Sequence, residues 1–217
     1  TIDDAKAKTV RMASTDALGV DAQLPALLND KIGTKFRVIR GYTATGSKLS
    51  VERGETDGIC ITYETLNATN PQWFTNNQLN LLIQVSLKPH PAMKSVPNLL
   101  DMLPDGIDKQ AIEMQTPAEI GRAYIMPPGT NPDRVKIIRD AFDKTMKDPA
   151  FLEEARKLFI EVNPVNGADA AALVKKAYAA SPAVIKRTAE LLGNPVPASL
   201  INDCVQKAGE ANVCGPV

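Results

Sequence analysis

A chain of 217 residues with 44% hydrophobic content is long enough for one large domain or two small lobes, and is no disordered tail, collagen-like repeat or disulfide-dense scaffold. Its 25 Lys+Arg balance 25 Asp+Glu, so bulk charge cannot draw it to nucleic acid or anionic membrane; only a local patch is left for that. One histidine (His90) and 5% aromatics remove most metal chemistry and any base-stacking platform, so no metal, no cofactor and no nucleic acid is expected.

The amino-terminal segment Thr1-Ile2-Asp3-Asp4-Ala5-Lys6 has no initiator Met, no basic n-region and no apolar h-region. Two expectations fit: a removed leader, or a sequence beginning inside a longer protein. Thr9 to Ala13 reads as a strand with Val10 and Met12 on one face. Ser14 to Gly19 is a turn-rich loop. Leu24, Leu27, Leu28 and Ile32 recur at helical spacing, and Gly33 stops the helix. Lys35 to Ile39 is a second strand, followed by the loop Gly41 to Gly46 and a short helix through Leu49 and Val51 that ends near Gly54. Gly58 to Tyr63 and Leu79 to Val85 read as a third and a fourth strand. Strands separated by helices imply an α/β fold with a parallel sheet.

The second half is mostly helical, with its starts written in capping chemistry. Asn131-Pro132, Asp148-Pro149, Asn166 or Asp169, and Ser181-Pro182 each precede apolar residues at helical spacing. Only Tyr124 to Met126 and Phe159 to Val162 read as strands there. Each amphipathic helix needs a surface to cover, and so little sheet leaves the second half looking short of a partner. The longest apolar runs, such as Leu81-Leu82-Ile83, are far below the roughly 20 residues that cross a bilayer, so no membrane insertion is expected.

Cys204 and Cys214 lie in a Pro- and Gly-containing tail; a disulfide closing that loop is worth about 2–3 kcal/mol and implies an oxidising compartment. Two unpaired thiols are the alternative. Cys60, in an apolar run, is expected as a small buried hydrophobe.

No phosphate loop and no dinucleotide fingerprint occurs, and His90 stands between Pro89 and Pro91 as a connector, so no enzyme is expected. Two loops are the better candidates. Ser14, Thr15, Asp16, Ala17 and Gly19 follow the first strand; Gly41, Tyr42, Thr43, Ala44 and Thr45 follow the second. Both lie where parallel sheets place their ligands, at carboxyl strand ends facing helix amino termini, which favours a carboxylate. Short β–α turns rich in capping residues remain the structural alternative.

Gly41-Tyr42-Thr43-Ala44-Thr45-Gly46, with Leu49, Val51-Glu52-Arg53-Gly54-Glu55 and Asp57-Gly58, resembles a segment of the tripartite tricarboxylate transporter solute receptors, the Bug/TctC family. Ser14 to Gly19 resembles that family's ligand loop, with Asp16 and Leu18 where small residues are usual. Val96 to Leu100, Met126 to Val135 and Met146 to Leu152 resemble three further stretches in the same order, so the likeness covers roughly residues 9–193. It implies a type II periplasmic-binding-protein fold, of which this chain is the carboxy-terminal two-thirds. Residues 1–121 would be a nearly complete second α/β lobe carrying the ligand loops, 122–193 a helical remainder of the first lobe, and 194–217 a tail. The implied function is a periplasmic solute-binding receptor that hands a small organic acid ligand to membrane transporter subunits. The effector-binding domain of a LysR-type transcription regulator is the alternative, opposed by the lack of a basic recognition helix and by a Cys204–Cys214 disulfide.

Overall fold

Residues 1–17, 19–115 and 123–192 are described by the structure, a computed structural model of the chain. In chain order the elements begin α1 (Ile2–Ala7), β1 (Val10–Ala13), α2 (Val20–Ile32), β2 (Phe36–Ile39), α3 (Ala44–Glu52) and β3 (Gly58–Ile59). Then come α4 (Tyr63–Thr69), α5 (Pro71–Thr75), a 3-10 turn (Pro91–Met93), α6 (Leu99–Met102) and α7 (Ile107–Gln115). The last four are α8 (Pro132–Thr145), α9 (Pro149–Lys157), α10 (Gly167–Tyr178) and α11 (Pro182–Leu191).

These elements group into two compact units built from interleaved segments. One holds residues 1–61, 80–115 and 180–192; the other holds 62–79 and 123–179.

The first unit is α/β. Its sheet has the order β2-β1-β3, all parallel, with Val10 opposite Phe36 and Met12 opposite both Val38 and Gly58. A Cβ at Gly58 would come within 3.2 Å of Met12 Sδ, so glycine lets the third strand close on the first. Helix α2 links neighbours, whereas α3 carries the chain from β2 past β1 to β3. That reversal makes the gap between β1 and β3 the topological switch point.

The face carrying Met12 and Phe36 packs on Leu27 and Leu28 of α2, Leu99 and Leu100 of α6, and Ile112 of α7. Burying each such side chain is worth about 1.5–3 kcal/mol. Helix α3 behaves differently from its apolar pattern: it buries Ser47 and Ser50, and leaves Leu49 39% exposed. The buried hydroxyls are satisfied, Ser50 Oγ donating to Ser47 O at 2.8 Å and sharing a 2.7 Å bond with Thr56 Oγ1.

Helix α11 closes the first unit against α7. Thr188 Oγ1 donates to Val184 O (2.8 Å) and to Ala111 O (3.3 Å), and Gln23 Nε2 of α2 donates to Leu192 O. Asp108 on α7 accepts from Lys31 Nζ of α2 (2.6 Å) and Arg187 Nε of α11 (2.5 Å).

Three expected strands are absent. Leu79 to Val85 forms no strand; Leu82, Ile83 and Val85 pack against the core, but the segment pairs only through an isolated bridge from Gln84 to Asn98. The cause is β3, which ends at Ile59 and leaves no ladder to extend. Tyr124 to Met126 has no strand beside it among the described residues. Phe159 takes φ 56° at the end of α9, which breaks the third. In the second unit Leu66, Trp73 and Ala155 are buried, while α8 and α10 bury no residue.

Candidate functional site

The two predicted loops meet at the carboxyl edge of the sheet. Ser14 N–H donates to Ile39 O at 2.9 Å, extending the β1–β2 ladder by one step, and Tyr42 N–H donates to Ser14 O at 3.2 Å. Ser14 is fully buried and its hydroxyl donates to Asp16 O, so it shapes the loop from within and offers no hydroxyl to a ligand.

In the β1–α2 loop, the amides expected to face an anion already hold one. Thr15 N–H and Oγ–H both donate to Asp21 Oδ2, at 2.7 and 3.0 Å; Gly19 N–H donates to Asp16 Oδ1 at 2.6 Å. Gly19 makes this possible, because a Cβ there would collide with the Asp21 carboxylate and press on Asp16. The loop therefore presents two carboxylates where free amides are expected from the sequence. Asp16 and Ala17 are exposed and Thr15 is half-buried. Leu18 lies outside the described residues.

The β2–α3 loop keeps its helix terminus open. Gly41 has φ +99°, a conformation glycine adopts without strain, and turns the chain off the strand. Thr43 is the amino-terminal cap of α3, its Oγ1 accepting from Gly46 N–H at 2.9 Å. Helix geometry leaves the amides of Ala44 and Thr45 without an intrahelical acceptor, and both residues are exposed. Anion-binding capacity is thus concentrated at α3, with Thr43, Ala44 and Thr45 around it.

Two neighbours were not legible as site residues. Arg40, exposed, sits between the strand end and Gly41 and makes no hydrogen bond or ion pair among the described residues. Arg11 pins the turn after α3: its Nη2 donates to Asp57 Oδ1 at 2.7 Å and to Gly54 O at 3.1 Å, holding the Asp57 carboxyl down at about 2. Charge at a strand end, followed by glycine and a capping threonine, is the signal that would have found Arg40.

Cys60 follows β3 and packs against the core; burial pushes its thiol up to about 12, which makes it a poor nucleophile at neutral pH. His90 is half-buried and caps the 3-10 turn, its Nδ1 accepting from Ala92 N–H at 3.2 Å. Cys204 and Cys214 lie outside the described residues. Among the described residues no three His, Cys, Asp or Glu side chains gather as metal ligands, and no helix is long and apolar enough to cross a membrane.

A depression of about 540 Å³ occurs in the second unit, lined by Thr130, Lys136, Arg139, Asp140 and Asn166 among others. Several of its polar groups are engaged: Lys136 pairs with Asp140, Arg139 donates to Gly167 O, and Asn166 caps α10. Comparison with protein-family models, curated proteins and solved structures returns no significant match. The family resemblance rests on the motifs alone.

Proposed function

We propose that this chain is part of a periplasmic solute-binding receptor of the Bug/TctC type, which captures a small carboxylate and delivers it to membrane transporter subunits. The observation that carries the reading is the open amino terminus of α3 at the carboxyl edge of a β2-β1-β3 parallel sheet, capped by Thr43 and tied to the β1 loop through Tyr42. The ligand's carboxylate accepts from the Ala44 and Thr45 amides, and Arg40 supplies the counter-charge. Asp16 and Asp21 occupy the matching positions on the β1 loop, so the far end of the ligand is neutral or a hydrogen-bond donor. The finer fold assignment, two lobes of a type II periplasmic-binding protein, draws support from the exposed apolar residues of the second unit. Ile137, Ile138, Leu158 and Val174 are exposed apolar side chains of the kind that a sheet of the other lobe would cover.

Thermal denaturation of the full chain against a panel of small carboxylic acids tests this. A true ligand at a hundredfold excess over its Kd adds about 2.7 kcal/mol and raises the Tm by several degrees. Replacing Thr43 with Trp abolishes that rise; loss of the α3 cap also lowers the unliganded Tm by a few degrees, so the rise is read against the variant's own baseline. No response across the panel, or an unchanged response in Thr43→Trp, overturns the reading.

A further inference from the structure

From Thr65 to Leu100 the chain has no acidic residue; its only formal charges there are Lys88 and Lys94. In a chain whose acidic and basic residues balance, so long an acid-free stretch is a local departure from neutrality. Both lysines fall in one excursion, residues 85–97, whose ends are stitched together: Gln84 N–H donates to Pro97 O and Leu99 N–H donates to Gln84 O, each at 2.9 Å. Short loops with close ends that pack on their own groups are frequent carriers of function.

Two buried amide side chains set the shape of this loop. Gln84, 6% exposed, donates through Nε2 to Met93 O (3.0 Å) and Val96 O (2.8 Å), and accepts from His90 N–H at 2.8 Å. Asn98, 4% exposed, donates to Ser86 O at 2.9 Å and accepts from Ser86 N–H at 3.4 Å. Pro89, Pro91 and Pro97 remove further backbone freedom, and the His90 cap holds the 3-10 turn between them. An exposed loop is thereby held in one shape before it meets anything.

What the rigid loop displays is cationic. Lys88 and Lys94 are exposed and make no ion pair or side-chain hydrogen bond among the described residues; Lys147, Lys175, Lys176 and Lys186 share that state, but they lie on or beside helices, whereas these two stand on one tied loop with no acidic residue in its sequence. Pro89, Pro91 and Ala92 are exposed between them, and no large apolar side chain of the loop is, so nothing is available to insert into lipid. Two lysines are also too few for a nucleic acid, whose affinity rests on many phosphate contacts.

We propose that the 85–97 loop is a preformed docking surface for an acidic patch on a partner protein, with Lys88 and Lys94 as the contacting cations. It shares no residue with the carboxylate loops and stands independently of the receptor reading. Charge complementarity of this kind governs encounter and orientation and is weakened by salt.

The test titrates the full chain, isotope-labelled, with a short synthetic Glu/Asp peptide and follows backbone amide shifts. Perturbations confined to residues 84–99, reduced by raising salt, are expected. Lys88→Glu combined with Lys94→Glu weakens binding about tenfold or more with the Tm unchanged, since both side chains are exposed. Asn98→Ala keeps both lysines but loosens the loop, and weakens binding about threefold. Shifts spread over lysines elsewhere, or unchanged binding in the double glutamate variant, overturn the proposal. Tighter binding of the same loop to anionic lipid vesicles or duplex DNA than to the peptide overturns the choice of partner.

Discussion

Asp108→Asn tests how α11 is held to the first unit. Asp108 faces Lys31 Nζ at 2.6 Å and Arg187 Nε at 2.5 Å, with Asp30 on the far side of Lys31 and Glu190 on the far side of Arg187. Hydrogen bonds from Arg187 and then Lys31 hold its carboxyl at about 2, below the ordinary 3.8. Linkage turns that depression into about 2.5 kcal/mol. The side chain is 36% exposed, so screening cuts the figure to about 1 kcal/mol. The core contact of α7, the helix that carries Asp108, is worth more: Ile112 is 1% exposed, and Ile112→Ala costs about 3 kcal/mol through lost transfer energy and a cavity. Packing therefore outweighs charge in holding α7. Urea denaturation at pH 7 is the assay. With an m-value of about 2 kcal/mol/M, Asp108→Asn lowers the midpoint by about 0.5 M and Ile112→Ala by about 1.5 M. Because the folded pKa is depressed, the wild type keeps its advantage above the ordinary carboxylate value and loses it as pH falls through about 2. The gap to Asp108→Asn then closes. An Asp108→Asn midpoint equal to wild type at pH 7, a gap that persists at pH 2, or a loss larger than that of Ile112→Ala refutes the reasoning.

Gly41→Ala meets no neighbour but forces an alanine to φ +99°; a loss of about 1–2 kcal/mol is expected in urea, with weakened carboxylate binding as the Tyr42 amide shifts off Ser14. Phe159 occupies the left-handed position after α9, with Ile160 N–H donating to Ala155 O at 2.9 Å in the manner of a Schellman cap. Its side chain is half exposed, so Phe159→Gly stabilises by about 0.5 kcal/mol once glycine's entropy is subtracted; a loss above about 1 kcal/mol would mean that the ring packs where strain was assumed. Asp16→Ala removes one negative charge beside the proposed site and frees the Gly19 amide. Carboxylate affinity by calorimetry should rise about fivefold, and weaker binding would show that Asp16 does not face the anion.

Where local chemistry decides, the sequence was readable. Asn131, Asp148, Asn166 and Ser181 each cap the helix they announce, because a side-chain oxygen two or three residues from an amide needs no tertiary help. Alternation in Val10 to Met12 and Phe36 to Val38 placed two strands, and Gly33 ended α2 at φ +73° as expected. Leu79 to Val85 misled because strand formation needs a neighbour, and β3 stops too soon to be one. Helix α3 misled because close approach to the sheet favours small satisfied hydroxyls over Leu49. The site loops were located from strand–helix order alone. That Asp16 and Asp21 would fold back onto the Gly19 and Thr15 amides depends on contacts across the loop, which spacing does not encode.

The same division explains the contrast between the two units. Capping chemistry decides where a helix starts, but a helix of this length is marginal in water until one face is buried. In the first unit α2, α6, α7 and α11 find that cover on the sheet and on each other, so the loops at the sheet's carboxyl edge rest on a packed support. In the second unit α8 and α10 are capped by Asn131 and Asn166, yet bury no residue fully, and Ile137, Ile138, Leu158 and Val174 stay exposed. Each such side chain is about half exposed and forgoes about half of the 1.5–3 kcal/mol that full burial is worth. The helices of the second unit are thus written by local sequence and only partly covered by the described residues, so a layer placed over their exposed apolar side chains has stability to add there.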